Sequence, residues 1–153
     1  MIRSEVHWTA RGFTLIELLI VVAIIAIIAA IAIPNLLESK KAANEAAAVS
    51  ALRTISSAEE LYNNRFGEYG ELSEMTGEGF IDSVLGSADI DDNPNSSKQG
   101  FKYDLTVSSS GAQWSCVAFP SDWGVTGERA FYIDQTGVIY KKTGAGGSWE
   151  AMR

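Results

Sequence analysis

The residues best placed to do chemistry lie at the edge of an apolar run: Gly12, Phe13 and Glu17. Glu17 directly precedes Leu18–Leu37, 20 residues without a charge. An ionised carboxylate near the start of a membrane span costs at least ~2–3 kcal/mol unless it is paired or protonated. A chain beginning at Phe13 would offer an α-amino group four residues away, one helical turn, and that charge could pair with Glu17 in the same chain or in a neighbouring copy. A helix starting here adds its N-terminal partial positive charge. The alternative is a carboxylate that snorkels to the membrane edge. Gly12 stands before the apolar run, so a protease at the cytoplasmic face could cut the Gly12–Phe13 bond and leave the apolar helix on the protein. A secretory cut would instead follow the run, where Ala29-Ala30-Ile31-Ala32 supplies small residues.

The element that must position these residues is a helix. At ~1.5 Å rise per residue the uncharged run spans roughly 30 Å, about the hydrocarbon thickness of a bilayer. Arg3 and Arg11 favour a cytoplasmic N-terminus, while Lys40 and Lys41 beyond the run weigh against it, with Glu38 beside them. Pro34 removes a backbone donor inside an otherwise helical pattern. Helical composition resumes at Leu36-Leu37-Glu38 and continues through the Ala-rich stretch from Ala42 to Ala48. The pattern therefore predicts a kink in one long helix rather than a stop.

The order Arg11-Gly12-Phe13-Thr14-Leu15-Ile16-Glu17, the apolar run and then Pro34 resembles the N-terminus of type IV prepilins, a motif shared by the pseudopilins of type II secretion. The resemblance implies that a prepilin peptidase cuts between Gly12 and Phe13 and N-methylates Phe13. It implies that Glu17 is the assembly carboxylate and Pro34 the helix kink. It also implies a bacterial inner-membrane single-pass precursor, N-terminus cytoplasmic, that polymerises with copies of itself into an extracellular pilus, or into a periplasmic pseudopilus. Expected partners are the chain itself, the peptidase, the inner-membrane assembly machinery and membrane lipid.

Five segments follow: a cleaved leader at residues 1–12, a transmembrane and assembly helix at 13–37, an amphipathic continuation at 38–66, an acidic Gly-rich connector at 67–100, and a sheet with the C-terminal segment at 101–153. In the continuation, Val49, Leu52, Ile55, Tyr62 and Phe66 form a helical stripe, with Ala58 at a compatible position. Lys41, Glu45, Arg53 and Glu60 occupy the other face. Tyr62 and Phe66 read as packing against a sheet. The connector's apolar residues, Leu72, Met75, Phe80, Ile81, Val84 and Leu85, predict one or two short turns docked on the helix. Asp89-Ile90-Asp91-Asp92-Asn93 begins like a calcium loop. Pro94 stands where the loop needs Gly, and Gly100 where it needs Glu, so the stretch reads as a solvated acidic turn.

From Phe101 the period becomes two. Strands are predicted at Phe101–Val107, Trp114–Phe119, Ala130–Ile133 and Val138–Lys142, with Asp134–Gly137 as a tight turn. The fold class is α+β: a long N-terminal helix on a four-stranded antiparallel sheet, one face buried and the other wet. The resemblance implies the same arrangement, type IV pilin-like. Many of its members close a C-terminal loop with a disulfide, but this sequence has a single Cys, Cys116, expected to be a free, inert thiol. Trp123 and Trp149 are then the residues expected to hold the C-terminal segment by packing.

Composition narrows the function classes. With 12 Lys+Arg against 19 Asp+Glu the formal charge is −7, which argues against a nucleic-acid footprint. The single His, His7, falls in the leader. A chain without it is poorly equipped for nucleophilic or His-based catalysis, so no enzyme, cofactor or metal site is expected. The leading function is a structural pilus subunit. The alternatives are a type II secretion pseudopilin, a minor pilin, and an envelope enzyme on a signal anchor.

Overall fold

A computed structural model describes residues 12–90 and 96–152. The leader's Arg3, His7 and Arg11, and the Asp91–Pro94 part of the acidic turn, lie outside the described residues. Helix α1 runs Leu15–Phe66, 52 residues, with Pro34 inside it. The chain divides into two compact units at Leu36/Leu37.

The first unit is the apolar part of α1. Its large side chains from Leu15 to Ile33 are all at least half exposed apart from Val21 at 49%. A helix this apolar with no protein cover has the length and composition to cross a membrane.

The second unit contains the rest of α1, two short helices and a sheet. α1 stops where Gly67 takes a left-handed φ of 82° and donates to the Asn63 carbonyl at 2.8 Å. A glycine adopts that conformation without a Cβ penalty. Two short helices follow, α2 (Leu72–Gly77) and α3 (Ser83–Gly86), matching the expected docked turns. Asp82 caps α3 by accepting from the Leu85 amide at 2.9 Å. The two helices approach so closely that a Cβ on Gly86 would fall 1.9 Å from Thr76 Oγ1.

The sheet has strands β1 (Phe101–Val107), β2 (Trp114–Pro120), β3 (Arg129–Asp134), β4 (Tyr140–Thr143) and β5 (Glu150–Ala151), all antiparallel in sequence order. Phe101 pairs with Pro120 and Val107 with Trp114. Residues alternate buried and half-buried along β2, as a sheet with one covered face requires. The core gathers Ala48, Leu52, Ile55 and Tyr62 of α1 with Phe101, Tyr103, Cys116, Phe131 and Ile133 of the sheet, and Leu72, Met75 and Leu85 of the short helices. Alanines at 48, 51 and 58 are buried on the same side of α1.

Several expectations are corrected. Among the described residues the sheet has five strands, not four. β5 is only two residues long, too short to carry a periodic signal. β4 begins at Tyr140 rather than Val138; Val138 is exposed and Ile139 is buried outside the ladder, its carbonyl taken by the Met152 amide at 2.8 Å. Phe66, expected against the sheet, is 44% exposed and packs on Tyr62 with ring centroids 4.5 Å apart. Glu45, assigned to the wet face, is buried at 5% exposure. Asp89, expected in a solvated turn, is buried and bridges Tyr103 across the edge of β1.

Candidate functional site

Gly12 and Phe13 are exposed and precede the first helical residue. Phe13 is 85% exposed, and a Cβ on Gly12 would meet nothing within 4 Å. The bond between them is open to an external catalyst.

Glu17 has a partner that the sequence reading missed. The Thr14 amide donates to Glu17 Oε2 at 3.0 Å and the Thr14 hydroxyl donates to the same oxygen at 2.8 Å. The Glu17 amide in turn donates to Thr14 Oγ1 at 3.1 Å. This is a reciprocal capping box, in which a Thr at the N-cap and a Glu three residues on satisfy each other's backbone donors. The signal was available as Thr-x-x-Glu ahead of an apolar run. The cap fixes the carboxylate at the start of the span, with its charge at the positive end of the helix. Pro34 lies 17 residues further along the same helix. Its ring can donate no bond to the Ala30 carbonyl, which is one turn earlier.

The second unit holds its own polar constellations. Glu45 Oε1 accepts from the amides of Glu128 at 2.8 Å and Arg129 at 3.0 Å, and Oε2 accepts from Arg129 Nε at 2.7 Å. Lys41 bridges Glu38 and Glu128, 3.0 Å from each, and those two bonds push its amine's pKa up. These contacts tie α1 to the start of β3. Trp149 packs on Tyr132 at 5.7 Å and under the Lys142 ammonium at 4.7 Å, so it anchors the C-terminal segment as expected. Trp123 lies in the β2–β3 connection, where it bridges Gly127. Cys116 is a free, fully buried thiol whose pKa burial pushes well up. Such a thiol yields little thiolate, the reactive form. Among the described residues no group of three or more His, Cys, Asp or Glu is placed to hold a metal ion.

A capped, uncovered apolar helix behind an accessible Gly–Phe bond, with its C-terminal half on an antiparallel sheet, is the general arrangement of type IV pilin-like proteins. Residues 9–33 match the family described as the prokaryotic N-terminal methylation motif. Over 53 residues the chain is 55% identical to the type IV wide pilus major component PilA4 of Thermus thermophilus. That match takes in 35% of this chain and 40% of the relative, so the likeness is regional. Motif and relative both point to the type IV pilin-like family, and motif and helix together support a membrane-associated precursor.

Proposed function

We propose that this chain is a structural subunit of a type IV pilus, polymerising through its N-terminal helix. The observation that carries the reading is the exposed Gly12–Phe13 junction directly ahead of an apolar helix whose acid, Glu17, is held in place by Thr14. Prepilin peptidase cuts that bond and methylates the Phe13 nitrogen. The precursor waits in the inner membrane, and the filament it joins is extracellular.

Cleavage converts the Phe13 amide into an amine, and N-methylation leaves it basic. In a low-dielectric helix bundle a carboxylate and an ammonium attract far more strongly than in water, and a charge-assisted hydrogen bond is roughly twice as strong as a neutral one. The Glu17 carboxylate therefore exchanges part of its Thr14 cap for the Phe13 amine of a neighbouring subunit. A subunit in the wrong axial register leaves an uncompensated buried charge, a cost of ~3–5 kcal/mol, so the pair selects the register in which apolar faces pack side by side. Pro34 supplies a helix kink. The name of the Thermus relative, a pilus major component, supports a pilus subunit ahead of a type II secretion pseudopilin or a minor pilin.

The test is Glu17→Ala in the native host. The leader should still be removed and Phe13 methylated, as read by mass spectrometry of the N-terminus, while sheared filaments are lost. Wild-type filament yield from Glu17→Ala, or filaments built from uncleaved chains, would overturn the proposal. Fibres that lack this protein in bulk would leave the alternatives as the better readings.

A further inference from the structure

Glu59 is used by none of the above. It lies on α1 within the second unit and has no solvent exposure. Its Oε2 accepts from the Gly70 amide at 3.1 Å. Its Oε1 is the one buried side-chain oxygen or nitrogen among the described residues that has no hydrogen-bond partner. Gly70 is buried in turn, and a Cβ there would lie 2.7 Å from the Tyr62 ring, so the connector's backbone closes directly onto the helix. Leu72 and Met75, just beyond, are fully buried. Glu59 is thus covered by the first part of the connector.

The neighbouring ionisable groups do not neutralise it. Glu74 of α2 raises its pKa. The Cys116 thiol of β2 interacts with it electrostatically, and the same thiol is acted on by Asp89 and Asp104. On its own helix the Tyr62 phenol is one turn away, its pKa raised first by burial and then by Glu74, Glu68 and Glu78. Every one of these partners is neutral or anionic. A neutral carboxyl costs less here than a charged one: Oε2 accepts from the Gly70 amide, and a proton on Oε1, which has no partner in either form, leaves no net charge in the core. An ionised carboxylate would leave a bare charged oxygen in the core, which is strongly disfavoured.

We propose that Glu59 is a proton-controlled latch: its neutral carboxyl lets residues 67–86 dock on α1, and loss of its proton loosens that docking. Burial, opposed by the Gly70 bond, pushes its pKa from 4.5 up to about 7. A raised carboxyl pKa means that the docked state binds the proton more tightly than the open state. Its stabilisation is complete below pH 4.5, fades as the pH rises through 7, and is gone above it.

The test is hydrogen exchange on the full chain in detergent, corrected for intrinsic exchange rates, from pH 5 to 8.5. For the wild type the opening equilibrium of residues 67–86 should rise roughly a hundredfold over that range, most of it below pH 7. Glu59→Gln, which is isosteric and cannot ionise, should stay flat. Carboxyl-carbon NMR of labelled wild-type chain supplies a second readout that needs no variant, with Glu59 titrating near 7. A Glu59 midpoint near 4.5, or wild-type protection that does not change with pH, overturns the latch. So does a Gln variant that loses protection in step with the wild type.

Discussion

Replacing Glu45 with Ala should destabilise the second unit by about 3 kcal/mol. The carboxylate is 5% exposed, and both its oxygens are occupied: Oε1 by the Glu128 and Arg129 amides, Oε2 by the Arg129 guanidinium. Truncation leaves two part-buried amides without their acceptor, and hydrogen bonds to a charged group contribute about 1.5 kcal/mol each at the low end of their range. The guanidinium adds less. The Arg129 side chain is 41% exposed, so water replaces much of what it loses, and the solvent-screened share is below about 1 kcal/mol. Domains of this size have only about 5–15 kcal/mol in all, so the loss is easily measured. Urea unfolding of the detergent-solubilised chain, followed by fluorescence of the buried Trp114, should show a midpoint lower by roughly 1–3 M at unchanged m-value. Glu45→Gln keeps one acceptor oxygen and should cost about half as much. A loss under about 0.5 kcal/mol for Glu45→Ala would mean that water substitutes fully for the carboxylate, and would refute the view that this contact ties α1 to β3.

Two further outcomes follow from the connector. Gly86→Ala places a methyl 1.9 Å from Thr76 Oγ1 and should lower stability by about 1–3 kcal/mol, as overpacking does; the double variant with Thr76→Ser should not recover, because the clashing oxygen remains, whereas pairing with Thr76→Gly should. Asp82 has its pKa lowered, chiefly by the Lys98 ammonium and against the effect of burial. A lowered carboxyl pKa gives stabilisation that is present above the unfolded value of 3.8 and lost as the pH falls below it. Lys98→Met should therefore lower the neutral plateau and flatten the acid limb by the same amount, a small one because the pair is partly exposed, and leave stability well below pH 3.8 unchanged.

The sequence alone determined the features that are local in the chain. The uncharged run from Leu18 to Leu37, the Gly–Phe junction ahead of it, the helical stripe from Val49 to Tyr62 and the alternation from Phe101 to Val107 are set by neighbours within a few residues. A period of 3.6 or 2 is legible without knowing what it packs against. The Thr14–Glu17 box belongs with these. It lies within one helical turn, and its Thr-x-x-Glu pattern carries the cap. Tertiary structure decided the rest. Glu45 stands seven residues before Leu52, in phase with the buried stripe as the exposed Glu60 is not, but the groups that fill its oxygens come from 83 and 84 residues away. Glu59 is buried because Gly70 folds back on it, Asp89 because it pairs with Tyr103. Phe66 has the right spacing to be covered, yet it stays 44% exposed with its ring on Tyr62. The fifth strand exists only because the chain end returns to β4. Burial is a property of where the chain comes back, and periodicity records only which side of an element faces inward.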